Sequence, residues 1–122
     1  RPWAWRLVYY LTQGGPTRWL QQQGQRIRCH KRIREYVREY APDIVVSVHP
    51  LCQDIPLKAL EQIGGGTRKV PFVTVVTDLG GAHNQWFHRD VDMCCVPSEA
   101  VQRLAIKNRV AKDKVMIHGL PV

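Results

Sequence analysis

The chain holds 122 residues, 44% hydrophobic and 23% charged, with 18 Lys and Arg against 10 Asp and Glu for a formal charge of +8. That length supports one domain with a modest core, and the composition excludes a disordered or low-complexity chain. No apolar run reaches the roughly 18–20 residues that cross a bilayer as a helix, and the basic excess points to an anionic partner: nucleic acid, an acidic membrane surface or a phosphorylated ligand.

From Trp3 to about Leu11 an aromatic, apolar segment reads as a helix, interrupted by "QGGP" at 13–16. It is too short and too aromatic for a secretory leader, and it lacks a small-residue cleavage site. A second helix is expected from about Thr17 to Tyr40, with Gly24 as its weak point. Cys29, Ile33, Val37 and Tyr40 recur there at helical spacing, while Arg28, Lys31, Arg32, Glu35, Arg38 and Glu39 fall on the other side. Pro42 ends it.

The run "DIVVSVH" (43–49) is short and β-branched, the pattern of a strand covered on both faces, and Pro50 stops it. Residues 53–63 read as a helix that tolerates Pro56 in its first turn. "PFVTVVTD" (71–78) is a second buried strand and "VDMCCVP" (91–97) a third. Residues 98–108 form a helix with Ser98 as N-cap, and "KVMIHG" (114–119) is a fourth strand. Strands alternating with helices predict an α/β domain with a mostly parallel sheet. The chain opens without Met and stops just after a strand-like segment, so it reads as part of a longer polypeptide.

The cysteines Cys29, Cys52, Cys94 and Cys95 contain no CxxC pair, and the adjacent two point to opposite faces of a strand. They read as reduced, partly buried thiols rather than zinc ligands. His83 and His88 are spaced unfavourably for one helical face, and no nearby carboxylate or thiol completes a ligand set, so no metal is expected.

Open parallel sheets bind ligands outside the carboxyl ends of their strands. The residues there are His49, Asp78, Ser98 and His118, which a parallel sheet brings to one edge. Ser98 reads foremost as a helix cap, and either histidine can equally be a hydrogen-bonded strand end. Asp78 is the stronger functional candidate because two glycines follow it and the loop lengthens, although Asp at a turn also bonds to its own backbone. In "HNQWFH", the residues His83, Trp86, Phe87 and His88 combine apolar rings with polar tips, which suits a membrane interface.

"PDIVVSVHPLCQDIPLKAL", "PFVTVVTDLGGAHNQWFHRDVDMCCVPSE" and "KVMIHGLPV" resemble, in this order, the N-terminal half of the monogalactosyldiacylglycerol synthase family. These are plastid-envelope glycosyltransferases of family 28 with two Rossmann-like domains, the glycosyltransferase-B architecture. The resemblance covers roughly residues 30 to 122, is specific in its series "SVHP", "VTDL", "WFH" and "HGLPV", and extends less strongly to "PWAW…YY". Bacterial diacylglycerol glucosyltransferases and the lipid-acceptor transferase of peptidoglycan synthesis share a weaker likeness.

The resemblance implies inverting transfer of galactose from UDP-galactose to diacylglycerol, with these residues on the acceptor and membrane side. It implies location at the plastid envelope as a peripheral membrane protein, in preference to a bacterial cytoplasmic membrane. Anionic lipids such as phosphatidic acid and phosphatidylglycerol are implied partners, no cofactor is expected in this segment, and no nucleic acid is expected. The family's glycine-rich loop with its catalytic histidine and its nucleotide-binding half are not matched here, since "QGGPTR" (13–18) follows no strand and precedes no histidine. Where the family has Thr or Ser and Cys between "VTDL" and the next histidine, this chain has Gly80, Gly81 and Ala82, which allows a looser loop or a different acceptor.

On this reading the base lies outside the segment, Asp78 and His49 are supporting catalytic residues, and His83, Trp86, Phe87 and His88 contact the acceptor lipid. Arg28, Lys31, Arg32 and Arg38 form an anionic-lipid patch, worth about 1 kcal/mol per basic residue near the surface, with a solvated helix face as the equal alternative. Two rivals stay open: another lipid-directed hexosyltransferase, and a non-enzymatic basic module binding acidic membrane or RNA. Strands buried on both faces argue against the open aromatic sheet that RNA recognition uses.

Overall fold

The structure, a computed structural model, describes residues 3–4 and 29–121. Residues 3 and 4 are helical. The remainder of the two N-terminal helices expected as far as Arg28 lies outside the described residues. Helix α1 runs over 29–40, α2 over Asp54–Ile63 and α3 over Glu99–Lys107. Strands β1 (Val45–Ser47), β2 (Phe72–Val75), β3 (Met93–Val96) and β4 (Val115–Ile117) form one sheet in the order β1-β2-β3-β4. Every pairing is parallel, as the alternation of strand and helix predicted.

Register sorts the side chains into two faces. Ser47 pairs with Thr74, Thr74 with Cys94 and Cys94 with Val115, and all four are buried. This face packs on Leu57 and Leu60 of α2 and on Val101 and Ala105 of α3, with Phe72, Val76, Val91 and Val96 completing the core. Each large apolar side chain taken fully out of water there contributes roughly 1.5–3 kcal/mol.

The other face differs from the expectation of strands covered on both sides. Val46 pairs with Val73 and Val73 with Met93, yet Val46 is 52% exposed and Met93 36% exposed. Ile44, Val48 and Met116 are exposed as well. The physical reason is the one-sided crossover: α2 joins β1 to β2 and α3 joins β3 to β4, and both helices contribute their apolar residues to the same core. Among the described residues the second face has no helical layer. The β-branched run in "DIVVSVH" therefore reports strand propensity at 43–49 and not double burial.

Local chemistry sets the ends of the elements. Pro56 sits in the first turn of α2, where its missing N–H costs nothing. After α2 the chain turns so tightly that a Cβ on Gly64 would lie 1.9 Å from the Thr67 carbonyl oxygen, so only glycine fits. Ser98 caps α3 as expected, its Oγ accepting from the Val101 N–H at 3.4 Å. Arg109, just past α3, holds a left-handed backbone at φ 72. In α1 the expected apolar stripe is only half used: Ile33 and Val37 are partly buried, whereas Cys29 and Tyr40 are exposed.

The amino edge of the sheet is held by charge. The Arg68 guanidinium donates to the Asp92 carboxylate, to the Val70 carbonyl at 2.9 Å and to the Asp90 carbonyl at 2.7 Å. Asp92 in turn accepts from the Phe72 N–H at 2.7 Å, tying the starts of β2 and β3 together. The hydrogen bond from Arg68 holds the Asp92 carboxyl below the usual carboxylate range.

Candidate active site

At the carboxyl edge, β1 leads to His49 and β2 to Asp78, on neighbouring strands. The floor beneath His49 is a buried polar cluster. Gln53 donates through Nε2 to Ser47 Oγ at 3.1 Å and to the His49 carbonyl at 3.2 Å. Its Oε1 accepts from Thr74 Oγ1 at 2.8 Å, so one amide joins β1, β2 and the loop at 48–53. Sequence reading missed Gln53, taking it for the opening residue of a helix. The available signal was a polar residue just outside an apolar strand–helix pair, where a buried group must be fully bonded.

His49 is exposed, and its Nδ1 accepts from the Leu51 N–H at 3.2 Å. A neutral imidazole bonded this way carries its proton on Nε2 and offers a donor there. Asp78 is partly buried, and its Oδ2 accepts from the Trp86 indole N–H at 2.7 Å. Trp86 itself is 1% exposed, in a single 3₁₀ turn over Asn84–Trp86 whose start is capped by His83 Nδ1 accepting from the Gln85 N–H at 3.2 Å.

These placements revise the expected lipid-facing lip. Trp86 and Phe87 both belong to the core cluster, so neither ring is presented to a bilayer. The indole is buried because the half-buried Asp78 carboxylate satisfies its N–H, which removes the usual reason for tryptophan to stay at a wet interface. His83 alone of the four is exposed. His88 turns away into a groove of about 860 Å³ shared with Thr67 and Arg68, which precede β2, and with Arg109, which precedes β4. There its Nδ1 accepts from the Asp90 N–H at 3.2 Å and its Nε2 lies 3.9 Å from Asp54.

Ser98 is occupied as a cap, and His118 is exposed with its backbone N–H on the Val96 carbonyl at 3.1 Å. Of the basic residues on α1, Lys31, Arg32 and Arg38 are exposed, and Arg28 lies outside the described residues. Cys94 is buried, and burial pushes its thiol up to about 12, with the neighbouring Cys95 adding to the shift, so it is no nucleophile at neutral pH. Among the described residues no helix is long and apolar enough to cross a membrane.

The decisive comparison is with protein families: residues 3–122 match the family described as monogalactosyldiacylglycerol (MGDG) synthase. The chain belongs to the MGDG synthase family. It is 44% identical over 92 residues to the probable monogalactosyldiacylglycerol synthase 3, chloroplastic, of Oryza sativa subsp. japonica, covering 75% of this chain and 18% of the relative. It is 35% identical over 118 residues to the chloroplastic MGDG synthases of Spinacia oleracea and, as synthase 1, Arabidopsis thaliana, covering 97% of this chain and 22% of each relative. The chain therefore spans about a fifth of the length of these curated relatives. The MGDG synthase match includes the whole sheet and both loops that carry His49 and Asp78.

Proposed function

We propose that the full-length protein carrying this chain makes galactolipid by inverting transfer of galactose from UDP-galactose to diacylglycerol, with these residues as the acceptor side. The observation that carries this reading is the family match across residues 3–122, which takes in the entire carboxyl edge. The transfer needs a base to remove the acceptor proton as the hydroxyl attacks the anomeric carbon and UDP leaves. No residue of this segment is assigned that role. A hydroxyl both donates and accepts, and the edge offers both complements: the Asp78 carboxylate as acceptor and, in the neutral imidazole, the His49 Nε2–H as donor. Asp78 and His49 accordingly hold and orient the acceptor glycerol.

Contact with the lipid surface falls to the exposed loop residues Leu79 and His83, with Lys31, Arg32 and Arg38 drawing the domain to anionic headgroups. Relatives named chloroplastic favour the plastid envelope as the site of action. The test is purified full-length protein on vesicles of diacylglycerol and phosphatidylglycerol, offered UDP-galactose or UDP-glucose. A β-linked galactosyl diacylglycerol is expected. A glucosyl product alone would replace the donor, and no lipid-linked sugar from either donor would overturn the reading.

A further inference from the structure

We infer that Trp86 is a positioning residue whose indole N–H fixes the Asp78 carboxylate in the orientation that receives the acceptor hydroxyl. The inference rests on the function proposed above. Asp78 lies past the end of β2, and the chain that follows it offers little support: Leu79 is 82% exposed and Gly80 has a left-handed backbone at φ 76. A carboxylate on such a segment turns freely about its side-chain bonds unless something outside the segment holds it. The indole supplies that hold. Its ring is 1% exposed and belongs to the core cluster, so the N–H is a fixed point eight residues further along the chain.

The bond also divides the carboxylate. Oδ2 is taken by the indole, and among the described residues this is the one hydrogen bond to Asp78, which leaves Oδ1 to meet a ligand. A neutral buried donor suits this task better than a cation. Arg68 on Asp92 shows the alternative: a guanidinium binds its carboxylate by charge as well as by hydrogen bond. Trp86 aligns Asp78 without adding a full positive charge beside it. The tryptophan in "HNQWFH" thus belongs to the same unit as the aspartate in "VVTD".

The test is a double-mutant cycle on galactosyl transfer by the full-length protein, using Trp86→Phe, Asp78→Ala and their combination. Melting is followed for each variant, and rates are taken well below the lowest transition. Trp86→Phe keeps an aromatic ring and removes the N–H, and it is expected to lower kcat about tenfold or more, the scale of a hydrogen bond to a charged group. The KM for UDP-galactose should not change. In the Asp78→Ala background, with no carboxylate left to orient, Trp86→Phe should cost no further rate. A residue that acted only through packing would cost the same factor in both backgrounds. Asp78→Asn supplies a second background, in which the amide oxygen still accepts the indole N–H and Trp86→Phe should again matter. Multiplicative losses, or wild-type kcat in Trp86→Phe, would overturn the inference while leaving the transferase reading intact. A wild-type protein that transfers no hexose to diacylglycerol would sink both.

Discussion

Two aspartates sit at opposite ends of the connection that joins β2 to β3, one at each edge of the sheet, and the fold treats them differently. Asp92, at the amino edge, accepts from a guanidinium and from the Phe72 backbone N–H. Asp78, at the carboxyl edge, accepts from one neutral indole. The amino edge thus spends its carboxylate on joining strands, with Lys114 adding a 3.0 Å bond to the Val91 carbonyl beside it. The carboxyl edge is held instead by uncharged buried donors, Gln53 and Trp86, and its acid and imidazole keep atoms available for a ligand. An aspartate between two strands is therefore not informative by type; what it accepts from separates a structural clamp from a candidate site.

The strongest way to break that contrast is to remove the neutral donor at the carboxyl edge. Gln53→Ala strips Ser47 and Thr74 of their shared partner at the crevice floor. The buried Thr74 hydroxyl is left unbonded, while Ser47 Oγ keeps its 3.3 Å bond to the His49 carbonyl. The cost is about 1–3 kcal/mol, to be read as a fall in the denaturation midpoint. A loss below about 0.5 kcal/mol would mean that the floor is not held by this cluster.

Removing charge at the amino edge should cost less and depend on pH. Asp92 is 45% exposed as a side chain, so after solvent screening Asp92→Asn is expected to cost about 1 kcal/mol at pH 7. Its carboxyl is held below the ordinary value of 3.8, chiefly by the Arg68 hydrogen bond. The ionised form is thus favoured by folding, and the stabilisation is complete above the unfolded value and fades as pH falls through the lower folded one. Urea titrations at pH 7 and pH 3 should show the wild type losing more than Asp92→Asn. Equal losses would remove the clamp from the account of acid sensitivity.

The smallest effect sharpens the comparison from the strain side. Arg109 holds a left-handed backbone just past the end of α3, and Arg109→Gly is expected to raise stability by about 0.5–1 kcal/mol. A melting curve that moves down instead would show that the Arg109 side chain, which lines the groove with His88, contributes more than the strain removes.

Much of this fold was legible because its signals are local. Short β-branched runs, Pro50 after the first strand and Ser98 before the last helix placed the elements, and their alternation predicted a parallel sheet that brings His49 and Asp78 to one edge. The failures came from contacts that sequence spacing does not encode. Trp86 reads as interfacial because its apolar ring carries a polar tip, yet its burial is decided by an acceptor eight residues upstream and by core residues from other elements. Gln53 reads as the opening residue of a helix, yet its partners lie on two strands. The covering of "DIVVSVH" failed for a different reason: β-propensity constrains the backbone of a strand and says nothing about which faces other elements reach.

The sheet face that carries no helical layer among the described residues gives the two candidate groups unequal footing. β2 lies between strands, with Phe72, Thr74 and Val76 buried, whereas β1 pairs on one side among the described strands and exposes Ile44, Val46 and Val48. Opening a segment costs free energy in proportion to the surface and bonds it surrenders. Among the described residues, Asp78 therefore follows a strand paired on both sides and His49 a strand paired on one, so less surface and fewer bonds hold the His49 side of the crevice.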